Sequence, residues 1–426
     1  MSDITPVKGT RDFYPEQKAF QRWMYDHIRA VSEKFGYQEY DGPFLERLEL
    51  YAAKSGEELV KEQSFIFPDR GGEMIALRPE LTPSLARMLA TRSKSMVRPI
   101  RWWSFGPFWR YERPQKGRSR EFFQWNIDLL GVDSPQADAE IVVIAAAFFK
   151  SVGLTAKDVR LKVNNRRLAD EQLSTLGIPP EQRQGVFRLI DRRSKLSPQD
   201  WEAYADEIGL DPEQISGLKD LLNDRLAWRE FDELKDFFDA VEQMGAADFV
   251  EYDPIVIRGL DYYTGNVFEA YDVAGEERAI LGGGRYDDLV ADIGGDPLPG
   301  VGFAMGDVVI GLVLDKCGVE PDLRANPAEV FIPTFDESSR GETLRLAAEL
   351  RVSGLRVEWF PEIARLPKQF KYADRQGIPL AVILGPDEIK LGQVAIKDLR
   401  TGTQTVVPRS ETVEKVRDLL ALSGEI

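Results

Sequence analysis

The densest run of side chains able to do chemistry lies between Arg110 and Gln124: Arg110-Tyr111-Glu112, then Arg118, Arg120, Glu121 and Gln124. On an extended strand, side chains two apart share a face, so Arg110 and Glu112 are expected to point together, as are Arg118 and Arg120. Arginines beside carboxylates on a sheet surface suit a triphosphate together with an amine-bearing substrate. A guanidinium grips phosphate oxygens in pairs, and a carboxylate holds an ammonium group. The plainer reading of the same spacing is an exposed ladder of cross-strand ion pairs.

Scarcity elsewhere narrows the chemistry. The chain has one cysteine, Cys317, and one histidine, His27. That excludes an intrachain disulfide, Cys-rich zinc or iron–sulfur sites, Cys/His catalytic pairs and His-rich metal centres. Carboxylates, arginines and tyrosines are left to carry the reaction. His27 falls on the apolar face of a helical stretch with Phe20, Trp23, Met24, Ile28 and Val31, and reads as a packed helix residue without a function.

These residues need a scaffold, and 426 residues exceed what one hydrophobic core usually organises, which predicts two or three domains. Fifty-five Lys+Arg against 71 Asp+Glu give a net charge of −16, so binding to nucleic acid would need local basic clusters to override the total. No apolar run reaches about 18 residues and the first fifteen residues do not read as a signal peptide; the expectation is a soluble cytoplasmic chain with no membrane partner.

Periodicity predicts a helix over Glu16–Phe35, closed by Gly36, and a long antiparallel hairpin from Arg98 to Gly131 around the turn Arg113–Gly117. A helix over Ala137–Val152 follows, and Val163 to about Phe249 reads as an inserted, mostly helical subdomain. Strands are expected at Ile255–Ile257, Val267–Tyr271, Ala279–Gly284 and Gly300–Met305, then a helix over Asp307–Lys316. Beyond Pro327, strands at Glu329–Pro333, Arg356–Phe360, Leu380–Leu384 and Val394–Asp398 alternate with helices at Gly341–Ser353 and Ile363–Gln376. That is the pattern of a compact α/β domain.

Several strings carry a resemblance. Lys34-Phe35-Gly36-Tyr37-Gln38-Glu39-Tyr40-Asp41-Gly42-Pro43-Phe44-Leu45 resembles motif 1 of class II aminoacyl-tRNA synthetases, and Phe108-Trp109-Arg110-Tyr111-Glu112 with its loop and return arm resembles motif 2. Within that class the chain is similar to the histidyl-tRNA synthetase family through four further strings. These are Lys8–Asp12, Leu77–Thr82, Arg113–Arg118 and Arg258–Gly265. The resemblance runs from about residue 6 to about residue 420. It implies an α+β fold: a class II antiparallel sheet flanked by helices in a catalytic block 1–326, a helical insertion at about 165–249, and a C-terminal α/β anticodon-binding domain at 327–426. It also implies a homodimer formed through motif 1.

The resemblance implies a ligase that joins ATP and L-histidine into histidyl-adenylate and passes the histidyl group to the 3′ end of tRNA(His), with Mg²⁺ arriving on the ATP and no dedicated protein cage for it. Glu80, Thr82 and Gln124 match positions that hold the substrate's ammonium group and backbone. Asp128 and Tyr263 match the pair that reads the imidazole, beside Tyr262. Tyr286 matches a residue lining the pocket over the glycine floor Gly282-Gly283-Gly284. Arg110 and Arg118 match residues gripping the phosphates, with Glu112 beside the nucleotide, and Arg258 matches the family's arginine against the α-phosphate. A carboxylate nucleophile is already ionised at pH 7, so positioning and charge stabilisation suffice. Arg113, Gln115 and Lys116 match the loop that reaches the tRNA acceptor end, and Lys368, Lys371 and Arg375 would face the anticodon. The glycine run Gly300–Gly306 fits motif 3, but the family's usual Glu-Arg pair falls on Val308 and Val309, leaving Arg120 or another arginine to compensate. The alternative is a catalytically silent paralogue acting as a histidine-binding regulatory subunit of ATP phosphoribosyltransferase. Such paralogues usually lack the family arginine and the anticodon domain; Arg258 and the block Glu329–Val416 are both present here, which favours the ligase.

Overall fold

A computed structural model describes residues 4–52, 63–92, 95–193, 196–257 and 262–421. The chain divides into two compact units, one made of Met1–Asp12 with Trp23–Glu320 and the other of Phe13–Arg22 with Pro321–Ile426.

The strands of the first unit, in chain order, are β1 (Gln38–Glu39), β2 (Leu45–Arg47), β3 (Ile66–Pro68), β4 (Met74–Leu77), β5 (Ile100–Trp109), β6 (Glu121–Leu130), β7 (Val159–Asn165), β8 (Val250–Tyr252), β9 (Asn266–Asp272), β10 (Leu281–Tyr286) and β11 (Gly300–Gly306). Eight of them form one sheet in the order β1-β5-β6-β11-β10-β9-β7-β8. Its six central strands are antiparallel as expected, but both edges, β1 on β5 and β8 on β7, pair in parallel, so the sheet is mixed. The aromatic-rich arms β5 and β6 pair without a slip from Ile100↔Leu130 to Trp109↔Glu121. On the far side of the sheet, Trp125 packs 5.3 Å from Phe148 of the helix Pro135–Ser151 and 4.8 Å from Phe303 of β11. That helix starts where Ser134 accepts a hydrogen bond from the Ala137 amide at 3.2 Å. Burial of these rings, at about 25 cal/mol per Å², is the main force fixing the sheet's back.

The structure revises four expectations. Residues 110–120 lie beyond the last strand pair, because after the Arg110 amide bonds to the Arg120 carbonyl at 3.0 Å the Glu112 amide folds back onto Arg110. The same-face argument for Arg110 with Glu112 therefore does not apply. The insertion opens with a strand, β7, before its helices Arg166–Thr175, Pro180–Asp191, Pro198–Glu207, Pro212–Asn223 and Asp232–Gln243. The expected strand at Ile255–Ile257 is displaced to Val250–Tyr252: Pro254 offers no amide to a ladder, and Asp253 accepts from the Ile255 amide at 3.1 Å to make a turn. A three-stranded sheet, β2-β4-β3, was also not expected.

In the second unit, β12 (Val330–Ile332), β13 (Val357–Trp359), β14 (Leu380–Ile383), β15 (Gln393–Asp398) and β16 (Gln404–Pro408) form a sheet in the order β13-β12-β14-β15-β16. The helices Arg340–Val352 and Leu366–Arg375 join its parallel strands, as the alternation predicted. Its core gathers Val330, Ile332, Leu346, Leu350, Leu380 and Val382 with Val416 from the final helix. The fully buried Gln369 ties the helix Leu366–Arg375 to the end of β12, accepting from the Thr334 amide at 2.9 Å and donating to its carbonyl at 2.8 Å.

Candidate active site

On the central sheet, Gln124 and Asp128 are four apart on β6 and so share a face. Across from Asp128 stands Gly302 of β11, and beyond it Gly284 of β10. With no side chains there, the carboxylate settles over Gly302 and the Tyr263 ring over Gly284. The Tyr286 hydroxyl reaches along the sheet to donate to Asp128 at 2.5 Å. Its path exists because position 300 is glycine: a Cβ there would stand 2.6 Å from the Tyr286 ring. Tyr263 lies over Gly284, Tyr262 packs tilted against Tyr263 with ring centres 4.8 Å apart, and Tyr286 closes the cluster edge-on 6.1 Å from Tyr262. The sequence candidates Asp128, Tyr262, Tyr263 and Tyr286 are thus brought into one aromatic-lined group around a buried carboxylate.

Burial raises the Asp128 carboxyl to about 7, against a smaller downward pull from the Tyr286 hydrogen bond. Burial and the neighbouring Asp128 both raise the Tyr286 hydroxyl well above its ordinary value, so it stays a donor. A buried carboxyl whose ionisation is held up towards neutral pH, and which forms no ion pair with a described residue, is suited to a ligand bringing N–H donors.

A second cavity, of about 250 Å³, adjoins the same strands. Arg110, Glu112, Arg118 and Gln124 line it, with Arg278, Gly282, Val308 and Val309. Arg110 is oriented by its Nε bond to the Pro79 carbonyl at 2.9 Å and by the Phe122 ring 5.3 Å from its guanidinium. Arg118 forms an ion pair with the buried Glu112. Three arginines against one carboxylate make this cavity a receptor for a polyanion. Arg120 is not among the lining residues: its Nε donates to the Glu112 carbonyl at 3.0 Å and its guanidinium sits 4.1 Å from the Tyr111 ring. The expectation that Arg120 compensates for Val308 and Val309 is therefore not supported.

Glu80 is buried just before the helix Thr82–Arg92, next to the Pro79 carbonyl that Arg110 holds, and Thr82 is half-buried at that helix's start. Arg113, Gln115 and Lys116 are exposed on the loop between β5 and β6, where Lys116 is ion-paired with Glu277. Lys368, Lys371 and Arg375 are exposed on the helix Leu366–Arg375. Arg258 lies outside the described residues. His27 packs 4.6 Å from Trp23 and hydrogen-bonds Ser151, and burial lowers its pKa, so it is a packed helix residue. Among the described residues no group of three or more His, Cys, Asp or Glu is placed to hold a metal, and no helix is long and apolar enough to cross a membrane.

Sequence reasoning passed over three supporting residues. Arg78 is fully buried, donating to Pro107 O at 2.9 Å, Gly42 O at 3.0 Å and Asp41 at 2.5 Å, sandwiched between Phe44 and Phe108. It fixes the backbone that presents Pro79 and Glu80. Asp307 accepts from the Phe123 amide at 2.9 Å and from Arg11 at 2.8 Å, fastening the N-terminal string to β6. The same string meets the loop, where the Arg120 amide bonds to the Gly9 carbonyl at 2.8 Å. The Tyr40 hydroxyl is buried without a hydrogen-bond partner among the described residues. Arg78, Tyr40 and Arg11 lie within the strings Leu77–Thr82, Lys34–Leu45 and Lys8–Asp12, but nothing in those strings assigned them a role; Asp307 lies in none of them.

The family model described as histidyl-tRNA synthetase matches residues 9–307, and the model described as an anticodon binding domain matches residues 329–419. The chain is 38% identical to the histidine–tRNA ligase of Opitutus terrae, over 99% of this chain and 100% of that protein. It is also 38% identical to the chloroplastic/mitochondrial histidine–tRNA ligase of Arabidopsis thaliana, over 96% of this chain and 86% of that one. Among solved structures, the histidyl-tRNA synthetase from Nostoc sp. PCC 7120 superposes with a TM-score of 0.85 at 26% identity, covering 99% of this chain and 100% of that chain.

Proposed function

The chain belongs to the histidyl-tRNA synthetase family, and from that premise we infer how it works as a histidine–tRNA ligase that uses ATP. The observation that carries the site assignment is the presence of two receptors on one sheet: a buried carboxylate bonded by Tyr286, against which Tyr262 and then Tyr263 pack, and an arginine-lined cavity that includes Gln124, four residues before Asp128 on β6.

L-Histidine takes the first receptor. The Asp128 carboxylate accepts one imidazole N–H, Tyr263 serves the other ring nitrogen, Tyr286 holds Asp128 in place, and Glu80, Thr82 and Gln124 receive the ammonium group. ATP takes the second, with its phosphates against Arg110 and Arg118 and with Glu112 beside the nucleotide. Arg258 belongs with them at the α-phosphate by its place in the Arg-Gly-Leu-Asp-Tyr-Tyr string. The histidine carboxylate attacks the α-phosphorus, the bond to the bridging oxygen breaks, and pyrophosphate leaves with that electron pair. Arg110 and Arg258 stabilise the charge that builds on the phosphoryl oxygens. Mg²⁺ fits this cavity only as a companion of the triphosphate, since Glu112 is the one carboxylate among the lining residues; it would neutralise and orient phosphate oxygens.

The histidyl group then passes to the 3′ end of tRNA(His). Arg113, Gln115 and Lys116 meet the acceptor end, and the block 327–426, with Lys368, Lys371 and Arg375, meets the anticodon. The catalytic block is 1–326 with its helical insertion at about 165–249, and the working protein is a homodimer joined through the Lys34–Leu45 segment. A cytoplasmic location is the simplest assignment; the Arabidopsis relative is named for organelles. ATP–pyrophosphate exchange with each of the twenty amino acids tests the site reading. Exchange with histidine alone is expected; a folded protein that binds histidine without exchange would favour the silent regulatory paralogue.

A further inference from the structure

Resting on that reading, we propose that Arg278 is a substrate-binding residue that grips the β- and γ-phosphates of ATP. The sequence offered no reason to single it out. It is an exposed arginine one residue from Glu277 in the segment before β10, and such a charge is usually a solvated one.

Its placement is what distinguishes it. Arg278 lines the same 250 Å³ cavity as Arg110 and Arg118, on a wall where Val308 and Val309 contribute only apolar surface. Its stem runs beside Gly117 at the turn of the β5–β6 loop: a Cβ on Gly117 would lie 3.9 Å from Arg278 Cδ and 3.6 Å from Val309 Cγ2. Among the described residues no carboxylate pairs with Arg278, whereas Arg118 is neutralised by Glu112. The segment that presents it is fixed. Asp272 accepts from the amides of Glu276 at 3.3 Å and Glu277 at 3.0 Å, Lys316 binds Asp272 at 2.9 Å, and Glu277 is ion-paired with Lys116 of the loop. An arginine held by its backbone, with its head open to solvent at a polyanion cavity, is preorganised for the most charged and most exposed part of the ligand. In ATP that part is the terminal pair of phosphates, which departs as pyrophosphate. The ion pair between Lys116 and Glu277 also links the loop to the arginine, so that the loop and Arg278 meet the leaving group together.

The test compares wild type, Arg278→Ala and Arg278→Lys in histidine-dependent ATP–pyrophosphate exchange, with equilibrium binding of ATP, AMP and histidine. For Arg278→Ala the expected result is a rise of roughly 10- to 100-fold in the KM for ATP, the range of a lost charged hydrogen bond, with AMP and histidine binding changed less than about twofold. Arg278→Lys should recover part of the loss, because the charge remains and the bidentate fork does not. Unchanged ATP and AMP binding in Arg278→Ala would overturn the proposal. Equal losses for ATP and AMP would also overturn it, by assigning the residue to the adenosine half. Unchanged histidine binding shows that the variant is folded. Absence of exchange in the wild type would count against the site reading above, and the nucleotide-binding comparison would still decide the case of Arg278.

Discussion

Replacing Asp128 with Asn should make the empty protein more stable and the enzyme worse, with both effects set by one buried carboxylate. Asn keeps the oxygen that accepts from Tyr286. It removes the charge, and with it the titration. In the folded protein burial moves this carboxyl from an ordinary 3.8 to about 7. Three pH units at about 1.36 kcal/mol each come to roughly 4 kcal/mol, the cost of holding the ionised form in the empty pocket. The sign follows from proton counting. Between about pH 4 and pH 7 the folded wild type binds a proton that the unfolded chain has released, so wild-type stability falls as pH rises through that window and levels off above it. The Asn variant lacks this slope. Because the unfolded carboxyl is already mostly ionised at pH 4.5, the gain of Asp128→Asn over wild type should therefore grow by about 3 kcal/mol from pH 4.5 to pH 8, on top of a constant offset for the new amide. Urea denaturation of both proteins at half-unit pH steps, without ligands, reads this difference. Histidine affinity at pH 8, measured by calorimetry, should drop at least about tenfold in the variant while ATP affinity stays within twofold. A stability difference that is flat across pH 4.5–8 would refute the reasoning, because Asp128 would then not be a desolvated carboxyl in the empty site.

Further outcomes follow from the same geometry. Gly302→Ala would put a Cβ 2.2 Å from Asp128 Oδ1 and 2.5 Å from the Ile127 carbonyl oxygen of β6, costing about 3 kcal/mol or more and weakening histidine binding more than ATP binding, as equilibrium binding of each would show. Asp138→Ala strips the fully buried Arg285 of its closest partner at 2.5 Å but leaves it Asp287 at 3.1 Å and Asp133 at 3.4 Å, so urea denaturation should register a loss of about 2–3 kcal/mol, below that of a buried charge left with no partner. Arg258→Ala should lower the rate of adenylate formation in single turnovers far more than it weakens histidine binding; equal losses in both would remove Arg258 from the α-phosphate.

The long hairpin was legible because β5 and β6 are ten-residue aromatic runs that pair without a bulge. The second unit was legible because its strands and helices alternate at ordinary lengths. What escaped depended on contacts distant in sequence. Val159–Asn165 alternates like a strand, but helical text beside it masked the signal, and it is placed by pairing with β9 about a hundred residues away. Arg78 lies in the Leu77–Thr82 string, but its supporting role shows only when Phe44, Phe108 and the Pro107 carbonyl close around it. In the site, residue types and motif strings pointed to Asp128, Tyr286, Arg110 and Arg118. They could not show that Tyr286 reaches Asp128 over a bare Gly300, or that the arginine facing Val308 and Val309 is Arg278 and not Arg120.

The most direct test of the account is charging itself: the full-length protein incubated with ATP, Mg²⁺, each of the twenty amino acids in turn and a 3′-labelled tRNA(His) transcript. Histidine alone should be attached to the terminal adenosine. No aminoacylation by a protein that binds both histidine and ATP, or attachment of a different amino acid, would contradict it.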